Sequence, residues 1–153
     1  MPATLDYQLA CDDQPVPSAL IVQEWLNTLF VQQQLASGEV TVRIVESSEG
    51  QALNQAYRQK DTATNVLSFP FEAPEGMTMD FLGDIVICAE VVNREASAQH
   101  KTRDAHWAHM IVHGVLHLLG FDHINEVDAE QMEALEVEIL NKLGIDDPYT
   151  DRQ

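Results

Sequence analysis

Residues 103–119 hold the pattern that most restricts how this chain can fold. Four histidines recur there at intervals of three or four residues among apolar neighbours: His106, His109, His113 and His117. Because an α-helix turns about 100° per residue, the four imidazoles fall on one stripe of a single helix. Apolar side chains occupy the other faces, so the helix is expected to be buried nearly all round. Buried imidazoles cost free energy unless polar partners satisfy them, and a metal ion is one such partner.

A fifth histidine, His123, follows this predicted helix closely. Helix spacing alone does not choose between the pairs His109/His113 and His113/His117, but Gly120 can end the helix and return His123 to the side of His117. The resulting spacing, H-xxx-H-xx-G-xx-H, is that of the metzincin zinc motif. Three neutral imidazoles with an open fourth position are typical of a catalytic zinc. The sequence therefore predicts one zinc ion, bound by His113, His117 and His123, that activates water for hydrolysis. Nickel and iron, which imidazole also suits, stay open.

Position 114 departs from the metzincin pattern. In metzincins a glutamate follows the first histidine and serves as the general base, whereas this chain has Gly114. A peptidase built on this site would lack its proton acceptor. A metallopeptidase-like hydrolase on the same three histidines is therefore an alternative that Gly114 disfavours. The plainest alternative is a histidine-rich structural helix that binds no metal.

The remaining sequence predicts a single small α/β (α+β) domain over residues 1–153. Period-two or apolar stretches predict strands near 4–10, 39–45, 65–69 and 81–88. Helical spacing predicts helices near 18–31, 47–57, 89–99, 103–119 and 126–143. Gly38 is expected to stop the first helix. The expected architecture is a mixed sheet of about four strands packed with about five helices, which carries a metal-binding helix-turn resembling that of the metzincins.

Composition excludes several classes of protein. Hydrophobic residues make up 45% of the 153 residues, which is a globular value, and no apolar run approaches the roughly 20 residues that span a bilayer. No membrane partner is expected. The N-terminus lacks a basic stretch followed by an apolar one, and Cys11 and Cys88 lie far apart without CxxC spacing. These features predict a cytoplasmic protein with two reduced thiols.

The net charge of −17 argues against sequence-independent binding of nucleic acid, and no DNA partner is expected. Acidic residues concentrate late in the chain, however, from Glu126 to Asp151. The few basic residues can therefore still form a local positive patch, and net charge alone does not exclude RNA.

Much of the chain, about residues 43–148, resembles the YbeY family of bacterial metal-dependent endoribonucleases. The match consists of three blocks in the family's order and spacing: Tyr57-Arg58-Gln-Lys60-Asp61 followed by Thr64-Asn65-Val-Leu-Ser-Phe69; Leu82-Gly83-Asp84-Ile-Val-Ile; and His106-Trp-Ala-His109-Met followed by His113-Gly-Val-Leu-His117-Leu-Leu-Gly120-Phe-Asp122-His123. Gln59 and Ala63 stand where the family commonly has glycine and proline, and both can alter the turn after Arg58.

The resemblance implies a single-strand-specific, zinc-dependent endoribonuclease that acts in 3′-end maturation of small-subunit (16S) ribosomal RNA and in ribosome quality control. It implies ribosomal RNA and small-subunit components as partners, His113, His117 and His123 as metal ligands, and a catalytic role for Arg58. A guanidinium stays protonated, so Arg58 cannot be an ordinary base and is expected to hold the phosphodiester. A non-enzymatic ribosome-assembly factor with a structural zinc is the further alternative.

Several other polar residues near these blocks are candidates for supporting roles. Lys60 can add charge beside Arg58. His109 can line the groove or pack in the core, and Asp122 can orient a histidine ligand or cap the turn. Asn65 and Ser68 are candidate substrate contacts.

Overall fold

A computed structural model of the chain describes residues 3–12, 14–58, 65–71, 81–121 and 126–148. The elements follow one another as β1 (Ala3–Ala10), α1 (Ala19–Gln32), β2 (Gly38–Val45), α2 (Ser47–Arg58), β3 (Val66–Pro70), β4 (Phe81–Cys88), α3 (Ala89–Ala98), α4 (Arg103–Leu118) and α5 (Glu126–Lys142). Four strands and five helices within these ranges confirm the predicted α/β fold. None of the helices in the described ranges has the length and apolar character needed to cross a bilayer.

The four strands form one mixed sheet in the order β1-β2-β4-β3. β1, β2 and β4 are parallel, whereas β3 is antiparallel to β4. Side chains alternate between the two faces of each strand, so Val42, Ile44, Ile85 and Ile87 lie together in the main core. The opposite face carries a smaller cluster around Val45, Leu67 and Val86, against which α2 packs through Leu53.

Helix α4 is the centre of the main core. It contacts β3 and β4 of the sheet and the helices α1, α3 and α5. Trp107, Ile111 and Leu116 lie at different angles around α4 and are at most 1% exposed. The prediction that this helix is buried nearly all round is therefore confirmed.

Both ends of α4 are fixed by residues visible in the sequence. At its start, the Thr102 side chain accepts a hydrogen bond from the Ala105 N–H at 3.1 Å, which satisfies a helix-terminal donor. At its end, Gly120 has a φ of +101°, and the Phe121 N–H donates to the Leu116 carbonyl at 3.0 Å. This is a Schellman turn, so Gly120 ends α4 as expected.

The prediction that Gly38 stops the first helix is wrong. Helix α1 ends at Gln32, and Gln34 makes the C-terminal turn with a φ of +58° while the Leu35 N–H bonds the Phe30 carbonyl at 2.8 Å. Gly38 instead begins β2, where a Cβ atom would lie 2.8 Å from Phe30 Cε2. Close packing between sheet and helix, rather than helix termination, explains this glycine.

Gly83 of β4 packs closely against β3, and a substitution there tests the effect of this packing on stability. Its φ is +145°, and an added Cβ would lie 2.4 Å from the Phe69 carbonyl oxygen. Gly83→Ala is therefore expected to lower the free energy of unfolding by about 2–3 kcal/mol, measured by urea titration. Gly50→Ala is the control, because its Cβ would make an ordinary 3.5 Å contact with Cys88 Cβ. Equal losses in both variants would contradict the expectation.

Candidate metal centre

The four histidines of α4 form a continuous row. Ring centroids are 6.2 Å apart for His106 and His109, 6.5 Å for His109 and His113, and 4.7 Å for His113 and His117. His106 and His109 are 2% and 7% exposed, whereas the His113 side chain is 24% exposed and His117 is also partly exposed. The row thus runs from the core to an accessible end beside the C-terminus of α4.

A buried carboxylate from α5 joins two members of this row. Glu136 is 1% exposed, and its Oε1 lies 3.0 Å from His113 Nδ1 while its Oε2 lies 3.3 Å from His109 Nε2. Burial by itself would raise the pKa of Glu136, but hydrogen bonds from both imidazoles, and their charge, lower this pKa to about 2. A carboxylate only accepts hydrogen bonds, so His113 donates through Nδ1 and His109 through Nε2.

This arrangement bears on which histidines could hold a metal. An imidazole whose Nδ1–H donates to a carboxylate presents Nε2 as its acceptor nitrogen, which is a common orientation of metal-bound histidine. His113 has that orientation, and the His117 ring lies beside it. His109 uses Nε2 for Glu136 and is buried, so it packs in the core rather than lining a groove. The side chains of His113 and His117 therefore fit a metal site better than those of His109 and His113.

The rest of the predicted site lies outside the described residues. His123 and Asp122 fall within 122–125, and Lys60 falls within 59–64. In the part of the chain that the structure describes, no three His, Cys, Asp or Glu side chains form a group that could hold a metal ion. The described ranges therefore bring together two of the three predicted ligands, and the Schellman turn at Gly120 lies three positions before the third.

Arg58 is the last residue of α2, and its side chain also lies outside the described residues. Helix α2 packs on the sheet face opposite α4. A cavity of about 450 Å³ opens on that face, lined in part by Arg43, Glu49 and Asp84. Arg43 is paired with Glu49 at 2.7 Å, so its charge is compensated within the fold.

The row has a second carboxylate, at its buried end. His106 Nε2 lies 3.0 Å from Glu95 Oε1, and Asn65 Nδ2 donates to the same oxygen at 3.2 Å. Burial would raise the pKa of Glu95, but these hydrogen bonds hold it below its usual value. Ser68 Oγ donates to the Gly114 carbonyl at 3.0 Å. Asn65 and Ser68 thus hydrogen-bond within the fold, which gives each a structural role.

The structure also explains Gly114. An added Cβ would lie 2.9 Å from Ile85 Cγ2 and 3.3 Å from Val66 Cγ2. Position 114 therefore faces the sheet, while the neighbouring His113 faces α5. A glutamate at 114, as in the metzincins, would have to enter the packed contact between α4 and the sheet.

A sequence model of the family described as Endoribonuclease YbeY matches residues 12–144 of the chain. The protein belongs to the YbeY family. Among solved structures, the solution structure of TM1509 from Thermotoga maritima is similar, with a TM-score of 0.60 and 24% identity over 92% of each chain. This similarity shows a shared fold. Membership of the YbeY family implies an endoribonuclease of ribosomal RNA maturation.

Glu136 is the residue of the site that the sequence analysis missed. It lies four positions after Met132 and three before Ile139, and both of these are buried. Residues at these spacings share one face of a helix, so Glu136 falls on the apolar stripe of α5. A glutamate on a buried stripe needs polar partners. This position in the sequence could therefore have indicated that Glu136 contacts a polar group in the core.

Proposed function

We propose that this protein is a zinc-dependent endoribonuclease that cleaves single-stranded RNA in 3′-end maturation of 16S ribosomal RNA and in ribosome quality control. It works in the cytoplasm alongside small-subunit components. The observation that carries the proposal is the orientation of His113 by Glu136 beside His117, in a chain of the YbeY family. In this proposal His113, His117 and His123 bind the zinc.

The chemistry follows from the residues around this site. When bound, zinc supplies Lewis acidity, which acidifies water and polarises a phosphoryl oxygen. Arg58 holds the phosphodiester and neutralises the negative charge that develops on its oxygens. Gly114 offers no side chain to accept a proton and faces the sheet, which disfavours peptide hydrolysis by the metzincin route. Elemental analysis of the purified protein distinguishes zinc from nickel and iron.

The net charge of −17 restricts how this protein can bind RNA. Two of its arginines are paired with acidic residues, Arg43 with Glu49 and Arg94 with Glu90. Binding would therefore use few ionic contacts, among them Arg58 and Lys60, and the affinity should change little with salt concentration.

Arg58→Ala tests the catalytic role of Arg58. The rate of cleavage of a 5′-labelled single-stranded RNA is expected to fall at least about 100-fold, as when a donor to developing charge is removed. The zinc content and far-ultraviolet circular dichroism of the variant should stay at the values of the unmodified protein. Arg103→Ala is the control, because Arg103 is exposed at the start of α4. Unchanged cleavage by Arg58→Ala would remove Arg58 from the mechanism.

The same assay separates the alternative functions. Cleavage of peptides without cleavage of RNA would favour a metallopeptidase-like hydrolase. Tightly bound zinc without either activity would favour an assembly factor with a structural metal. The product ends identify the nucleophile, since a 2′,3′-cyclic phosphate shows attack by the RNA 2′-hydroxyl rather than by water.

A further inference from the structure

We propose that Glu136 is the positioning residue of the metal centre and that His109 is its anchor. Glu136 holds His113 in the tautomer and ring orientation that bind a metal, and so sets the affinity of the site. This inference rests on the proposed function, since it takes His113 and His117 as ligands. It assigns two buried residues, Glu136 and His109, to support the metal rather than to contact it.

The first support is the position of Glu136 in the core. The carboxylate is 1% exposed, and the neighbouring α5 residues Met132, Ile139 and Leu140 are also at most 1% exposed. Replacing a buried ionic group with an apolar residue of similar size is often neutral or stabilising. Packing alone therefore does not require a glutamate at this position. Its contacts with His113 and His109, 23 and 27 residues away in the chain, provide the requirement.

The second support is that both carboxylate oxygens are used, each by a different imidazole. A carboxylate bonded through one oxygen can rotate about its last side-chain bond, and the ring that it holds can rotate with it. His109 Nε2 holds the second oxygen at 3.3 Å, which fixes the plane of the carboxylate. The bond at 3.0 Å to His113 Nδ1 then has a fixed direction. His109 thus acts on the metal site through Glu136.

The pair of Glu95 on α3 and His106 on α4 provides a control with a similar contact. It joins a carboxylate to an imidazole nitrogen at 3.0 Å, the same distance as the pair of Glu136 and His113. The pair lies away from the proposed ligands, because His106 precedes the nearer of them, His113, by seven residues, which is roughly 10 Å along a helix axis. Removal of the Glu95 charge therefore perturbs a similar contact without reaching the metal ligands.

The test compares zinc affinities by competition with a chromophoric chelator. Glu136→Gln keeps the shape of the side chain but cannot accept hydrogen bonds at both positions. Its zinc Kd is expected to rise about 10- to 100-fold, while Glu95→Gln should stay within about twofold of the unmodified protein. Circular dichroism verifies that each variant is folded. A folded Glu136→Gln that binds zinc with the original Kd overturns the proposal.

A second measurement needs no variant and decides the matter if Glu136→Gln fails to fold. In the metal-free protein, long-range nitrogen–proton NMR correlations report the tautomer of each neutral histidine. His113 is expected as the Nδ1–H tautomer and His109 as the Nε2–H tautomer. An Nε2–H tautomer at His113 overturns the proposal.

The outcomes also separate this inference from the proposed function. If the unmodified protein binds one zinc that His117→Ala loses, and Glu136→Gln binds equally well, only the role of Glu136 is wrong. If the unmodified protein binds no zinc, the metal-dependent function and the role of Glu136 are both wrong.

Discussion

His117→Ala is expected to abolish zinc binding and to lower the rate of RNA cleavage at least about 1,000-fold, since loss of the metal removes several kcal/mol of charge stabilisation. The helix should survive the change. His117 is partly exposed at the end of α4, whereas the core contacts of α4 come from residues such as Trp107 and Ile111, both at most 1% exposed. Zinc content by elemental analysis and cleavage of a labelled single-stranded RNA measure the two effects.

A matched control for this variant is His100→Asn. His100 is exposed, lies outside the row of imidazoles and has a φ of +57°, a conformation that asparagine tolerates better than most residues. Its replacement should change neither zinc content nor cleavage. If RNA cleavage persists in folded His117→Ala, the activity does not belong to this site, and a contaminating nuclease becomes the simpler explanation.

Gly114→Glu is expected to unfold the protein rather than to create a peptidase, although it completes the metzincin motif. The new side chain would start 2.9 Å from Ile85 Cγ2 and would bury a carboxylate against the sheet. Overpacking and an unsatisfied buried charge together should lower the free energy of unfolding by at least about 3 kcal/mol. Urea denaturation, or loss of the soluble protein, measures this effect.

Gly114→Ala separates the two causes, because it adds the Cβ contact without the charge. A smaller loss of about 1–3 kcal/mol is expected for alanine. A folded Gly114→Glu variant that hydrolyses peptides would contradict the placement of residue 114 against the sheet. It would also restore the metallopeptidase-like alternative.

The local features of the fold could be predicted because their causes are local. The strands and helices follow from periodicity, and α4 also has a capping threonine at 102 and a glycine at 120. The prediction of the end of α1 failed, because a residue other than glycine makes the turn that ends this helix. Helix α1 ends at a turn in which Gln34 adopts a left-handed conformation. Glycine is the usual residue in that conformation, and position 34 does not have one.

The long-range features of the site could not be predicted in the same way. The edge position of β3 depends on β4 pairing with β2, which no single segment encodes. The contact between Glu136 and His113 joins two helices, and the periodicity of α4 does not identify its partner on α5. Sequence spacing identified the imidazole row, whereas the orientation of one ring within it depends on tertiary packing.

The origin of Glu136 in α5 has a consequence for protein engineering. A segment copied from 103–123 into another scaffold would carry all three predicted ligands in their native spacing. It would lack the carboxylate that turns His113, because that group comes from a separate helix. The segment alone is therefore not sufficient to transfer the complete site. A graft that aims at native affinity has to transfer both packed helices, α4 and α5, with the polar contact between them.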